Sequence, residues 1–203
     1  APSFAAKVDT LLVNSPSMNK DVQVVVVTPD AALGKKAVAC PVIYLLHGYG
    51  GNAKTWIGVK PDLPQIADEK GIIFVCPDGK NSWYWDSPKD PSYRYETFVS
   101  SELVKYIDGH YKTIADRKGR AITGLSMGGH GAMWNAIRHK DTFGAGGSTS
   151  GGVDIRPFPL NWDMSKQLGE FAYNKKVWDE HTVINQIDKI ENGDLAIIID
   201  CGE

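Results

Sequence analysis

Short apolar runs of strand length alternate along this chain with segments of helical periodicity. In several runs the apolar residues occupy consecutive positions, as in strands that are covered on both faces of a sheet. Gly, Pro or Asp bounds most of the runs, which lie at residues 22–27, 41–48, 71–79, 120–126 and 195–202. Because strands that alternate with helices are joined by right-handed crossovers, the pattern predicts an α/β fold. We expect a mostly parallel central sheet with helices on both faces.

A hairpin and several helices complete the predicted architecture. Residues 7–13 and 22–28 are joined by a polar segment and are expected to form an antiparallel edge at the N-terminal side of the sheet. The first predicted helix has Asp62 as its cap and ends at Gly71. No repeat or linker is visible, so we expect one domain over residues 1–203. The predicted helices cover 62–71, 95–111 and 179–191.

The composition excludes several classes of protein. With 42% hydrophobic and 23% charged residues, the chain has the balance of a folded globular protein. A net charge of -2 predicts neither a nucleic acid nor a membrane as partner, and no apolar run has the length of a bilayer span. The histidines form no metal-binding spacing, so no metal or other cofactor is expected. The three cysteines, Cys40, Cys76 and Cys201, are expected to be buried and unpaired.

The chain starts at Ala1 without an initiator methionine or an apolar leader. A processed secreted or periplasmic protein would have such a start, as would a trimmed chain. We favour a secreted or periplasmic location over a cytoplasmic one, and the sequence predicts no oligomeric state.

The segment RAITGLSMGGH, residues 120–130, combines a strand-like run with a G-x-S-x-G pattern centred on Ser126. In that pattern a serine stands at a sharp turn between a strand and a helix, and glycines two residues away on each side avoid a clash. The turn raises the hydroxyl above the carboxyl ends of the strands, and the helix N-terminus favours developing negative charge. The pattern predicts that Ser126 is a nucleophile.

A second glycine-rich loop supports this prediction. The segment YLLHGYGG, residues 44–51, ends a predicted strand in a loop of the kind that supplies one backbone amide to an oxyanion hole. By position we assign that amide to Tyr49. The second amide is that of Met127, directly after the nucleophile.

Four segments resemble the esterase D group, also called putative esterases, of the α/β-hydrolase superfamily, and they occur in the same order as in that group. The group contains S-formylglutathione hydrolases, tributyrin-type esterases, feruloyl and acetyl-xylan esterases, and mycolyltransferases. The resemblance implies an α/β-hydrolase fold and serine hydrolase activity. The segments are LLHGYGGNAKTW (45–56), CPDGKNSWYWDSP (76–88), YETFVSSELVKYID (95–108) and ITGLSMGGHGAM (122–133).

The histidine base of a catalytic triad is difficult to place. In α/β-hydrolases the chain order is Ser, acid, His, and only His130, His139 and His181 follow Ser126. We expect His130 to pack within the helix that starts at the serine, and His139 to lie at the polar end of that helix. His181 precedes the last predicted strand, whereas the base should follow it, and is the best substitute of the three.

The triad acid is also missing from its expected place. In the family that the chain resembles, the acid lies a few residues after the strand that ends in DCG, and the sequence stops there at Glu203. Asp200 is the available substitute, although it also fits a plain strand-end carboxylate. We therefore expect the acid and the histidine beyond Glu203, in a C-terminal segment missing from residues 1–203, so that the 203-residue chain is inactive. A genuinely truncated, inactive relative is the alternative.

Aromatic side chains follow the predicted strands at the edge where a substrate would bind. Trp56 comes after the oxyanion loop, and Trp83 and Trp85 lie in the segment 81–88. Large, rigid rings at this edge predict a wall of the substrate pocket, although rings that only brace a long loop would give the same pattern. The Pro-rich segment 151–162 predicts a loop or cap near the site.

The predicted function is that of a serine carboxylesterase that forms an acyl-enzyme. Expected substrates are acylated carbohydrates carrying feruloyl or acetyl groups, or short-chain acyl esters. A thioesterase of the S-formylglutathione type is one alternative. A non-catalytic carbohydrate-binding relative without a complete triad is the other.

Overall fold

The computed structural model describes residues 5–203 and contains a seven-stranded sheet with the order β1-β2-β4-β3-β5-β6-β7. β2 pairs antiparallel with β1 and β4, and the remaining neighbours are parallel. The predicted mixed sheet and its antiparallel edge are confirmed. The strands are β1 (Lys7–Ser15), β2 (Lys20–Thr28), β3 (Val42–Leu46), β4 (Ile73–Pro77), β5 (Arg120–Gly124), β6 (Ala145–Thr149) and β7 (Ala196–Asp200).

Helices connect most of the parallel strands. The α-helices are α1 (Thr55–Val59), α2 (Leu63–Lys70), α3 (Tyr95–Thr97), α4 (Leu103–His110), α5 (Met127–Arg138), α6 (Met164–Leu168) and α7 (Lys175–Glu180). A π-helical stretch, Phe98–Glu102, joins α3 to α4, and short 3-10 helices lie at Asp30–Ala32, Arg117–Gly119, Phe171–Tyr173 and Val183–Lys189. The continuous helix predicted over 179–191 is wrong, because the chain breaks between α7 and the last 3-10 helix.

Of the two predicted ends of α2, only the C-terminal one is confirmed. Gly71 ends the helix in the left-handed conformation with φ +65°, as its position predicted. The Asp62 side chain makes no capping hydrogen bond, so its predicted role as a cap is wrong. Its carboxylate lies instead 3.2 Å from the ammonium of Lys60.

The sheet carries a hydrophobic core on each face. The larger core lies beneath α4 and α5 and contains most of the buried aromatic rings, including Trp85 and Trp134. The smaller core lies beneath α2, where Leu63 and Ala67 pack against side chains of β2 and β4. Helices therefore cover both faces, as predicted, and the turn at Ser126 lies between the end of β5 and the start of α5.

The half of the sheet formed by β5, β6 and β7 is less covered on the face of the smaller core. A groove of about 270 Å³ lies there, and Thr123, Gly147 and Ile198 belong to its lining. Ile198 is 76% exposed.

Cys40 and Cys76 are buried, but Cys201 just after β7 is exposed, which corrects the prediction of three buried cysteines. Within residues 5–203, none of the helices has both the length and the apolar character needed to span a bilayer.

Candidate active site

Ser126 lies at a strained turn between β5 and α5. Its backbone has φ +58° and ψ -116°, a conformation that a residue with a Cβ rarely adopts. Two backbone hydrogen bonds hold the turn: the Ser126 N–H donates to the Thr149 carbonyl at 2.9 Å, and the Gly128 N–H donates to the Leu125 carbonyl at 2.8 Å. The strain is thus sustained by β6 on one side and by the first turn of α5 on the other.

The two glycines of the G-x-S-x-G pattern are required by close backbone contacts. A Cβ on Gly124 would overlap the backbone of Gly128, and a Cβ on Gly128 would overlap the carbonyl of Leu46 at the end of β3. The turn therefore packs directly against the neighbouring strand. This packing brings the Ser126 side chain to the edge of the sheet where β3 and β5 end.

The glycine-rich loop after β3 lies against the same turn. A Cβ built on Gly48 would be 3.6 Å from the Cβ of Ser126. Within the part of the chain that the structure describes, the backbone N–H groups of Tyr49 and Met127 donate to no acceptor. The loop itself is fixed, because the Gly50 N–H donates to Asn81 Oδ1 at 2.8 Å. The two unused donors are available for an oxygen that gains negative charge.

His47 anchors this loop, and the sequence did not single it out. Its ring is buried, and Nε2 accepts a hydrogen bond from the Gly79 N–H at 2.9 Å. The proton must then be on Nδ1, which donates to the Gly48 carbonyl at 2.7 Å. Asp78 lies 3.6 Å from Nε2. Burial alone would raise the pKa of Asp78, but the hydrogen bond from the Lys80 N–H and the nearby Lys80 ammonium help to hold it below the usual value. With both ring nitrogens engaged, His47 positions the loop and has no free nitrogen to accept a proton.

A cavity of about 210 Å³ opens at Ser126. Its walls are mainly apolar and aromatic, and its polar groups are the two serines, one carboxylate and the Tyr49 hydroxyl. Asp154 is held by Arg156 in a two-point ion pair, which keeps the pKa of its carboxyl below the usual value. The lining residues are Tyr49, Trp83, Ser126, Ser150, Gly152, Asp154, Ile155, Phe158, Trp162 and Met164.

The structure brings one of the three predicted pocket tryptophans to this cavity. Trp83 lines it, and its indole N–H donates to the Trp162 carbonyl at 2.9 Å. Trp85 is fully buried behind Trp83, with the two rings stacked at 6.0 Å. Trp56 packs against the smaller core on the other face of the sheet. The segment 151–162 supplies several lining residues, as a loop near the site.

The model of the family described as "Putative esterase" matches residues 15–203. This chain belongs to the putative esterase family. Among its relatives, an esterase of Mycobacterium tuberculosis is 28% identical over 178 residues, which are 78% of this chain and 38% of that protein. The S-formylglutathione hydrolase of Bos taurus is 25% identical over 197 residues, which are 86% of this chain and 66% of that protein. The chain thus spans less than half the length of the first relative.

A solved structure of a ferulic acid esterase has the same fold. It aligns with a TM-score of 0.78 and 29% sequence identity over 99% of this chain and 80% of its own length. The predicted α/β-hydrolase fold and the resemblance to the esterase group are confirmed.

The histidines of this putative esterase do not line the cavity. His130 is fully buried among aromatic rings, and burial lowers its pKa to about 3, so the ring is neutral. His139 ends α5 and pairs with Glu96 at 2.7 Å. His181 bonds to the Val177 carbonyl through Nδ1 and stacks on Trp134, and burial lowers its pKa.

Asp200 lies at the end of β7, two strands from β5, the strand that precedes Ser126. Its backbone carbonyl accepts a hydrogen bond from the Ser150 N–H at 2.8 Å, and its side chain is exposed. The cavity lining therefore contains Ser126, Tyr49 and Trp83, and Met127 directly follows Ser126 at the start of α5. Neither Asp200 nor His181 belongs to the lining. Within residues 5–203, no three His, Cys, Asp or Glu residues are grouped so that they could hold a metal ion.

Proposed function

We propose that this putative esterase is a serine carboxylesterase with Ser126 as its nucleophile. The observation that carries the proposal is the strained turn at Ser126, which opens into a cavity beside two unused backbone donors. A serine held in a rare backbone conformation is costly, and such strain is concentrated at functional sites. Family membership supports the same class of reaction.

In the proposed reaction the Ser126 Oγ attacks the carbonyl carbon of an ester. The carbonyl oxygen becomes an oxyanion that accepts hydrogen bonds from the N–H groups of Tyr49 and Met127, each contributing about 3 kcal/mol. The C–O bond then breaks, the alcohol leaves with a proton, and the acyl group remains on the Ser126 Oγ. Water attacks this acyl-enzyme, which releases the carboxylic acid and restores the hydroxyl.

The proton transfers in this reaction require a general base. Within residues 5–203 no histidine lines the cavity, and His47 has both ring nitrogens engaged. We therefore propose that the triad histidine and its carboxylate are supplied from outside residues 1–203. In this proposal the 203-residue chain binds substrate but turns it over poorly, because the hydroxyl of Ser126 is not activated.

The size of the cavity favours a compact acyl group. An apolar cavity of about 150 Å³ can hold a benzene ring. The cavity here is larger, at about 210 Å³, and aromatic rings form much of its wall. It therefore suits a single-ring acyl group of the feruloyl type, an acetyl group or another short acyl chain. We propose that these groups are esterified to a carbohydrate or another small alcohol.

Two other functions are alternatives that the experiments below distinguish from a carboxylesterase. The similarity to an S-formylglutathione hydrolase favours a thioesterase, which would use the same nucleophile and oxyanion donors. A non-catalytic carbohydrate-binding protein would keep the cavity without an activated serine. The absence of a histidine from the cavity lining is the observation that favours this second alternative.

A fluorophosphonate probe, which reacts only with an activated serine, tests the proposal. We expect the complete product of the gene to be labelled and its Ser126→Ala variant to remain unlabelled. Ser165→Ala, in α6, serves as the matched control and should label as the wild type does. A complete gene product that folds but takes no label would contradict the esterase proposal and favour the binding protein.

Comparison of substrates then separates the esterase from the thioesterase. We expect faster hydrolysis of methyl ferulate and 4-nitrophenyl acetate than of S-formylglutathione, judged by kcat/KM. The reverse order would favour the thioesterase. An intact mass of 22.2 kDa for the mature protein, combined with full activity, would contradict a base from outside residues 1–203.

A further inference from the structure

A second cavity lies beside the one that contains Ser126, and it differs in chemistry. Its volume is about 300 Å³. Lysines, amides and a carboxylate form much of its wall, together with one aromatic ring. We call it the polar cleft; the lining residues used below are Lys80, Asn81, Tyr93, Asp163, Lys166 and Gln167.

The polar cleft and the apolar cavity share a wall. The Tyr49 hydroxyl donates a hydrogen bond to Asp163 Oδ2 at 3.0 Å. Tyr49 lines the apolar cavity, whereas Asp163 lines the polar cleft. The neighbours of Asp163 in sequence, Trp162 and Met164, line the apolar cavity. The predicted oxyanion donor at Tyr49 therefore lies at the boundary between the two cavities, where the carbonyl of an ester would be bound.

The lysines of the polar cleft are already neutralised by aspartates. Lys166 lies 3.2 Å from Asp163, and Lys80 lies 3.5 Å from Asp78. An anionic ligand would have to compete with these carboxylates for the ammonium groups. The charge balance of the cleft thus favours a neutral ligand over a phosphorylated or carboxylated one.

The cleft offers hydrogen-bonding groups that no other part of the described chain uses. Asn81 accepts the Gly50 N–H through Oδ1, but its Nδ2 donates to no acceptor within residues 5–203. Gln167 is only 5% exposed, and its Oε1 has no hydrogen-bond partner there. A buried amide oxygen without a partner is costly, and ligand hydroxyl groups can satisfy such groups as both donors and acceptors. Tyr93 adds a ring against which the C–H face of a ligand can pack.

We propose that the polar cleft binds the alcohol part of the ester and that this alcohol is a neutral, polyhydroxylated molecule such as a sugar. The inference rests on the proposed function for the position of the scissile bond. The acyl group lies in the apolar cavity, the carbonyl lies at Tyr49, and the sugar ring contacts Asn81, Gln167 and Tyr93. The alcohol specificity of the enzyme then depends on residues that do not contact the acyl group.

Binding of free sugar can be measured without turnover, so the Ser126→Ala variant of the complete gene product is used. Saturation-transfer NMR titrations with xylobiose provide the dissociation constant. We expect Gln167→Leu to raise that constant about fivefold or more, because one or more hydrogen bonds to the sugar are lost. Lys166→Ala, at an exposed position, is expected to raise it about threefold, because the Lys166 ammonium lines the cleft and has donors left, beside its pair with Asp163, for a hydroxyl of the sugar. Lys176→Ala, whose side chain is 90% exposed on α7, is the matched control and should leave it unchanged.

The outcomes separate this inference from the proposed function. Absence of xylobiose binding by a folded protein whose wild type takes the fluorophosphonate label would overturn the inference and leave the esterase intact. Equal xylobiose affinity in Lys166→Ala and Lys176→Ala would also overturn it, and this holds even if Gln167→Leu does not fold. Tighter binding of S-methylglutathione than of xylobiose would overturn the assignment of a neutral ligand. Failure of wild-type labelling counts against the proposed function alone.

Discussion

The hydroxyl of Tyr84 donates a hydrogen bond of 2.9 Å to the backbone carbonyl of His47. Tyr84 is fully buried, and its ring fills space at Gly79 and Gly131, where an added Cβ would overlap it. One side chain therefore connects the loop after β3, the loop after β4 and the helix that follows Ser126. The position of the Tyr49 N–H relative to Ser126 depends on this connection.

Tyr84→Phe tests that dependence. The substitution keeps the ring but leaves the buried carbonyl of His47 without this donor, which should lower the free energy of unfolding by about 1–3 kcal/mol. Because the loop that carries Tyr49 is then less restrained, fluorophosphonate labelling of Ser126 should also be slower. Urea denaturation and labelling rates measure the two effects. Tyr173→Phe, at a residue 84% exposed, should change stability by less than about 0.5 kcal/mol. Equal unfolding midpoints for the two variants would contradict the prediction.

Gly128→Ala tests the close contact between the turn at Ser126 and β3. The new methyl group would overlap the Leu46 carbonyl and lie 2.7 Å from the His47 carbonyl. Neither backbone group can move without distorting the sheet, so we expect a loss of about 3 kcal/mol or more in the free energy of unfolding. Gly58→Ala is the matched control, because a Cβ there meets nothing within 4 Å. In helix α1 it should stabilise the protein by up to about 1 kcal/mol. Similar melting temperatures for the two variants would contradict this prediction, because the turn would then accommodate the added methyl group.

Most of the elements that position Ser126 could be predicted, because each leaves a local pattern. Strands covered on both faces are uninterrupted apolar runs, and the G-x-S-x-G turn needs its two glycines for steric reasons. β6 was missed because its sequence, AGGST, contains no such run. Its glycines serve close packing: a Cβ on Gly146 would lie 2.8 Å from side-chain atoms of Met133 and Ala136 in α5. The next glycine is required by β5, because a Cβ on Gly147 would lie 2.6 Å from Thr123 Oγ1. A glycine pair that serves such long-range contacts looks, in the sequence, like a turn.

The residues around the cavity were harder to predict because they depend on long-range contacts. Asp163 reaches Tyr49 across 114 positions in sequence, and no periodicity records such a pair. Trp83 and Trp85 are two residues apart in one aromatic segment, yet only Trp83 lines the cavity. Composition identified the segment, but the direction of each ring is decided by the packing of α5 and residues 151–162 against it.

Glu96 is a buried carboxylate that several groups neutralise. It accepts a hydrogen bond from the Trp134 indole at 2.8 Å and pairs with Arg138 at 3.0 Å and with His139 at 2.7 Å. Burial by itself would raise the pKa of Glu96, but these partners outweigh it and hold the pKa below the usual value of 4.5. The ionised carboxylate thus stabilises the folded state above the pKa of the unfolded chain. That stabilisation is lost as the pH falls through the lower pKa of the folded state.

Glu96→Gln should therefore destabilise the protein in a pH-dependent manner. At pH 7 we expect a loss of about 1–3 kcal/mol in the free energy of unfolding, because the cations lose a buried partner. The difference from the wild type should shrink as the pH falls below about 4.5, since the wild-type carboxyl then becomes neutral as well. Urea denaturation between pH 7 and pH 3 measures this. Glu180→Gln, in an exposed pair with Lys176, should cost less than about 0.5 kcal/mol at either pH. A constant difference between wild type and Glu96→Gln across this range would contradict the assignment.

We predict that Phe158 distinguishes between acyl groups in the proposed esterase reaction. It lines the apolar cavity beside Trp162, with the two ring centroids 5.4 Å apart. An aromatic acyl group would pack on these rings, and one such contact contributes about 0.5–1.5 kcal/mol. Phe158→Ala should therefore lower kcat/KM for methyl ferulate about two- to tenfold, while kcat/KM for 4-nitrophenyl acetate, whose acyl group is too short to reach the ring, stays within about twofold. Leu160→Ala provides the control, since Leu160 lies in the same loop but is 94% exposed and is absent from the lining. Equal losses for the two substrates would place the aromatic acyl group elsewhere, because an effect on Ser126 or on the fold would reduce both reactions alike.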